Sequence, residues 1–91
     1  MDFQWSDEKN TLLKKTRNVS FEMVLEEIAA GRILDDSPHP NKDKYPNQSV
    51  FVVMLNAYCH LVPYVQEENV IFLKTIIPSR KMMQKYQGAQ K

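Results

Sequence analysis

The stretch from Ser49 to Ile77 leaves the chain few ways to fold. "SVFVVML" (49–55) is almost wholly apolar, the pattern of a strand buried on both faces. "YCHLVPYVQ" (58–66) and "VIFLKTII" (70–77) follow, separated by turn residues. Asn56-Ala57 makes a two-residue turn, in which Asn accepts positive φ and Ala resists it. Glu67-Glu68-Asn69 makes the next turn. Three strands joined this closely form an antiparallel meander, since parallel neighbours need a long crossover. Pro63 within the second strand argues for a bulge or an unpaired edge position.

Upstream, the periodicity changes to that of helices. Ser6 before "DEK" is a good N-cap with acidic residues in the first turn, which predicts a helix over 7–16. Its apolar content is thin, so it belongs on the surface. Ser20 opens a second helix, in which Phe21, Val24, Leu25, Ile28 and Ala29 form one apolar stripe. Gly31 stands where a helix ends in the left-handed conformation. "FQW" (3–5) reads as a very short edge strand, and Ile33-Leu34 as a brief one. From Asp35 to Gln48 the chain is polar and holds three prolines, which predicts a long loop. After Pro78, Ser79 caps a final helix over 79–87. The order is β-α-α-β-β-β-α, an α+β pattern. We expect one small domain over 1–91, with two N-terminal helices on a three- to four-stranded antiparallel sheet, a C-terminal helix, and the other sheet face left available.

Ninety-one residues bury only roughly 60–65% of the surface that the unfolded chain exposes, so a partner chain would add to stability. The one cysteine, Cys59, cannot form an internal disulfide or build a zinc site, which suits a reducing cytosol. The longest apolar run is far short of a bilayer span, and the polar, acidic start does not resemble a signal peptide. A cytoplasmic location with no membrane association is therefore expected.

Net charge is only +1, but its distribution is uneven. Residues 1–36 carry eight acids and five bases, and residues 37–91 carry three acids and seven bases. No acidic residue follows Glu68. The final helix divides into an apolar side (Met82, Met83, Tyr86) and a basic side (Arg80, Lys81, Gln84, Lys85). A solvated outer face explains that division, and so does a surface that handles phosphate. Lys74 is the one charge in the third strand. A three-residue turn at 67–69 would set it opposite Val62, with His60 and Tyr64 on its face; a two-residue turn would undo that cluster. His60 is either a packed core histidine or a proton carrier. His39 near Asp35 and Asp36 lacks a second histidine at ligand spacing, so no metal is expected. Lys42, Lys44 and Tyr45 form a small basic and aromatic cluster in the loop, suited to solvent or to stacked bases and phosphate.

"FQWSDEKN", "VSFE", "LDD", "KY" and "IIPSRK…KY", in that order, resemble the BrnT-type toxins of bacterial type II toxin–antitoxin pairs. The resemblance runs through nearly the whole chain. It implies a RelE-like fold and a metal-independent endoribonuclease that cleaves mRNA and inhibits translation, needing no cofactor. It also implies a cognate antitoxin as partner, with a dimer or a hetero-oligomer as the assembly. Arg80 and Lys81 match the family's basic pair after the last strand, and Lys44-Tyr45 stands where the family has Arg-Tyr. Trp5, Asp7 and Lys9 match its N-terminal motif, whose role is expected to be structural. The family's Lys-His-Gly before "VSF" is replaced here by "KTRN", and its arginine in the third strand by Lys74. The expected catalytic set is Arg80, Lys81 and Lys74, with Lys44, Tyr45 and Lys85 binding RNA. The alternative is a non-catalytic module, a degenerate toxin that only binds protein or RNA.

Overall fold

A computed structural model describes residues 2–89, with side chains through Tyr86. The elements run β1 (Asp2–Gln4), α1 (Asp7–Arg17), α2 (Phe21–Ala29), β2 (Ile33–Pro38), β3 (Gln48–Leu55), β4 (Tyr58–Glu67), β5 (Val70–Leu73), β6 (Ile77–Pro78) and α3 (Arg80–Ala89). The helix starts follow local chemistry. Ser6, Ser20 and Ser79 each accept, through the side-chain oxygen, a backbone N–H three residues on, from Lys9, Met23 and Met82. Gly31 does adopt a left-handed φ of 72°.

The architecture is α+β, but the sheet is larger than expected. Six strands lie among the described residues, in the order β1-β5-β4-β3-β2, with β6 also on β4. The sheet is mixed, because β1 runs parallel to β5. The first correction concerns Asp35–Pro38, expected to be loop. These residues continue β2 and pair with Ser49–Val52 of β3. An edge strand tolerates acids and a terminal proline, since one side of its backbone makes no ladder bonds. The true loop is shorter, covering 39–47. The second correction concerns residues 70–77, which divide into β5 and β6 around Lys74–Ile76.

Pro63 explains that division. Its carbonyl accepts the Lys74 N–H at 2.9 Å, so the N–H it lacks would have pointed at the same neighbour. The ladder stops where the missing donor falls, and the irregularity appears in the partner strand rather than in β4 itself.

The core lies between the helices and one sheet face. Leu13, Val19, Phe21 and Val24 pack against Phe51, Val53, Leu55, Val62, Tyr64, Ile71, Leu73 and Ile76. Each fully buried side chain of this kind contributes about 1.5–3 kcal/mol. α1 therefore takes part in the core through Leu13, while Leu12 faces outward. Trp5 stacks on Phe21 with ring centres 5.6 Å apart, which gives the N-terminal motif a packing role.

The second face is only partly open. Val52 and Cys59 alternate away from the core residues of their strands, yet are 2% and 0% exposed. α3 packs against β4 on this side, with Met82, Met83 and Tyr86 half-buried and Arg80, Lys81, Gln84 and Lys85 exposed. No helix among the described residues is long and apolar enough to cross a membrane.

Candidate functional site

Beside α3, the second sheet face forms a cleft of about 550 Å³. Strand register builds its floor in rows. Asp35, Val52, Leu61 and Ile77 are successive cross-strand partners, and Ser37, Val50 and Pro63 form the next row. Lys74 closes that second row through its N–H bond to Pro63. Met82 of α3 makes one wall, while His39 and Tyr45 from the 39–47 loop make another. A second depression of similar volume is formed by Ser6 and α1 alone, with Leu12 at its surface, and draws on no other element.

The loop is held in shape by its own hydrogen bonds. Asn41 accepts the Tyr45 N–H at its carbonyl and the Lys44 N–H at its side-chain oxygen. The His39 N–H donates to the Gln48 carbonyl, extending the sheet by one bond. The rings of His39 and Tyr45 lie 4.5 Å apart, tilted by 43°. The Asn41 N–H donates to His39 Nδ1 at 3.0 Å, so a neutral imidazole carries its proton on Nε2. The Lys44 ammonium sits 5.5 Å from the Tyr45 ring centre, a cation–π contact.

Of the six residues expected in the site, Lys74 and Tyr45 line the cleft. Arg80, Lys81, Lys85 and Lys44 are exposed but do not line it. None of these five cations is in an ion pair among the described residues; the pairs formed are Lys14–Glu22 and Arg32–Glu27. Among the described residues, the positive charge of α3 is thus not paired with the chain's own carboxylates.

The expected grouping of Lys74 with His60 and Tyr64 does not form. The hairpin turn has two residues, with Glu67 opposite Val70, which sends Lys74 to the cleft face and His60 and Tyr64 to the core face. His60 is 6% exposed, and its Nδ1 lies 2.8 Å from the Tyr58 carbonyl. Burial pulls its pKa below 6.5. It is a satisfied core histidine without access to the cleft. Tyr64 stacks on Phe51 and donates its hydroxyl to Asp36; burial, with that bond adding, pushes its pKa up to about 12.

Three cleft residues were missed as such by sequence reasoning. His39 was weighed only as a metal ligand, and among the described residues no group of three His, Cys, Asp or Glu side chains could hold a metal ion. Asp35 and Ser37 were assigned to loop. No local signal marks them, since "ILDDSP" shows no period-two alternation and their place follows from pairing with β3. No family model, curated protein or solved structure matches this chain. The resemblance to BrnT-type toxins therefore rests on its ordered motifs.

Proposed function

We propose that this chain is the toxin of a toxin–antitoxin pair, a metal-independent endoribonuclease that binds single-stranded mRNA in the cleft and along the exposed side of α3. The observation that carries this reading is Lys74, a cation with no carboxylate partner among the described residues, which lines the same cleft as His39 and Tyr45, while the equally unpaired Arg80 and Lys81 stand exposed at the start of α3, the helix whose Met82 forms one wall. Unstacked bases need aromatic and apolar surface, and the backbone needs cations.

The chemistry is transfer to the neighbouring ribose hydroxyl. The 2′-oxygen forms a bond to phosphorus, the bond from phosphorus to the 5′-oxygen breaks, and a 2′,3′-cyclic phosphate and a 5′-hydroxyl result. The 2′-hydroxyl gives up a proton and the leaving oxygen gains one. Lys74 balances the charge that develops on the phosphorane, and the His39 Nε2–H is a further donor at the cleft wall. Tyr45 adds a phenol hydroxyl to the cleft wall, beside the His39 ring. Arg80, Lys81 and Lys85 guide the strand beyond the cleft, and the antitoxin covers the same basic face with acidic or apolar segments.

The second reading, a module that binds RNA or protein without cutting, is favoured by one specific observation. His60 faces the core, and His39 has Nδ1 engaged by Asn41, so neither presents a free basic nitrogen on the cleft side.

Purified protein incubated with 5′-labelled single-stranded RNA in EDTA separates the readings. Cleavage to cyclic-phosphate ends is expected, with Lys74→Ala slowing it about 100-fold. Induced expression should arrest growth, and Arg80→Ala should relieve the arrest while the protein stays folded. RNA retained but uncut by the wild-type protein, with no growth arrest, would establish the binding module instead.

A further inference from the structure

The cleft is polarised along its length. Asp35 stands on β2 at one end and Lys74 follows β5 at the other, three inter-strand spacings across and two residues along the strands, or about 16 Å between backbones. Between them the floor is Val50, Val52, Leu61 and Pro63. The Asp35 carboxylate accepts one hydrogen bond, from the Ser37 hydroxyl at 2.9 Å, and forms no ion pair among the described residues. Ionised, it can only accept, and its remaining lone pairs face a ligand that must donate.

We propose that the cleft holds one unstacked nucleotide, with its phosphate at Lys74 and its base edge at Asp35, and that Asp35 makes the site select guanine. This rests on the RNA reading above and adds to it the identity of the base. The carboxylate repels phosphate, so the ligand can lie in only one direction. Bases splayed out of a single strand are read on their Watson–Crick edges. Among the four RNA bases, guanine alone presents two adjacent, parallel N–H donors there, at N1 and at the exocyclic N2. They match the two oxygens of a carboxylate as the arginine fork does. Adenine and cytosine offer one amino donor beside an acceptor nitrogen, which would face the second oxygen. Uracil offers one N–H between two carbonyls. The ring of the bound base rests on the half-buried Val50, Leu61 and Pro63, with His39 and Tyr45 as the aromatic wall.

The competing explanation is that Asp35 is only a charged residue on an edge strand, discouraging pairing with other chains. Fluorescence anisotropy distinguishes the two, using 2′-O-methyl pentanucleotides that cannot be cut. Each is a uridine tract whose central base is guanine, adenine, cytosine or uracil. The guanine oligonucleotide should bind about tenfold more tightly than the others. Asp35→Asn, an exposed site that should fold normally, should bring guanine down to the level of the other three without weakening them. Lys74→Ala should weaken all four by a common factor. Equal binding of all four by the wild-type protein, or a guanine preference that survives in Asp35→Asn, would overturn the inference while leaving the RNA reading intact. Failure to bind any of them at low salt would overturn both.

Discussion

Asp35 and Asp36 are neighbours in the chain and act on opposite faces of the sheet. Asp35 lines the cleft, while Asp36 accepts the hydroxyl of Tyr64 beside the core. Nothing in their residue type separates them. Only membership of a strand does, because successive side chains alternate. A reading of this segment as loop therefore hid a candidate site residue and a core hydrogen bond together. Lys74 stands out in the sequence as the one charge in its strand, but its face depends on a turn one residue shorter than the one needed to group it with His60. Ala57 shows the reverse case, a strain legible from the sequence and present in the fold. It occupies the left-handed region at φ 61°, after Asn56 at 53°. A side chain there costs about 1–2 kcal/mol, while glycine pays only its greater freedom when unfolded. Ala57→Gly should stabilise by about 0.5–1 kcal/mol, seen as a higher urea midpoint with an unchanged slope.

Between elements, one polar side chain joins the first two helices. Asn10, 4% exposed on α1, accepts the N–H of Phe21 at 2.9 Å and donates to the Glu22 carboxylate at 2.8 Å. It thereby satisfies a buried donor at the start of α2. Asn10→Ala would leave that N–H without a partner and should cost about 2 kcal/mol in chemical denaturation. Glu22→Gln, at an exposed position, should cost less than half as much. A similar loss from both would locate the energy in the carboxylate instead. Both helices were legible, since their caps and apolar stripe are local features. That α1 is keyed to α2 through an asparagine was not, because residues 10 and 21 meet only once the chain reverses at Asn18. Arg17, in the last turn of α1, likewise donates to the Ile76 carbonyl at 2.7 Å, beside the break between β5 and β6.

At the scale of the whole molecule, the shifted groups set how stability varies with pH. His60 binds its proton less readily when folded, because burial disfavours the charged form and Arg17 adds to it. Unfolded chains therefore take up more protons as pH falls, and stability should begin to drop below about 6.5. Glu22, held low chiefly by Asn10, and Glu27, held low chiefly by Arg32, add further loss below 4.5. Tyr64 acts at the other limit. Its raised pKa contributes stability that is complete below 10 and lost as pH climbs toward about 12. Burial also pushes the Cys59 thiol up from 9.0, so its contribution begins to be lost above that pH. Urea midpoints across this range should show a plateau between roughly pH 7 and 9. His60→Gln should remove the first acidic decline, and Tyr64→Phe the part of the alkaline decline above pH 10, leaving the part due to Cys59. A decline near pH 6 that persists without His60 would assign it to another group.

By itself the sequence determined the α+β class, the meander, the helix starts and the two faces of α3. Each is written in hydrophobic period, capping residues and turn chemistry within a few positions of itself. Tertiary structure decided that β2 extends through Pro38, that β1 joins β5 in parallel, and that the sheet breaks opposite Pro63. It also decided which cations share a cleft with which aromatic rings. Those outcomes depend on pairing register across the sheet, where a one-residue slip exchanges the two faces, and no local pattern of side chains carries that information.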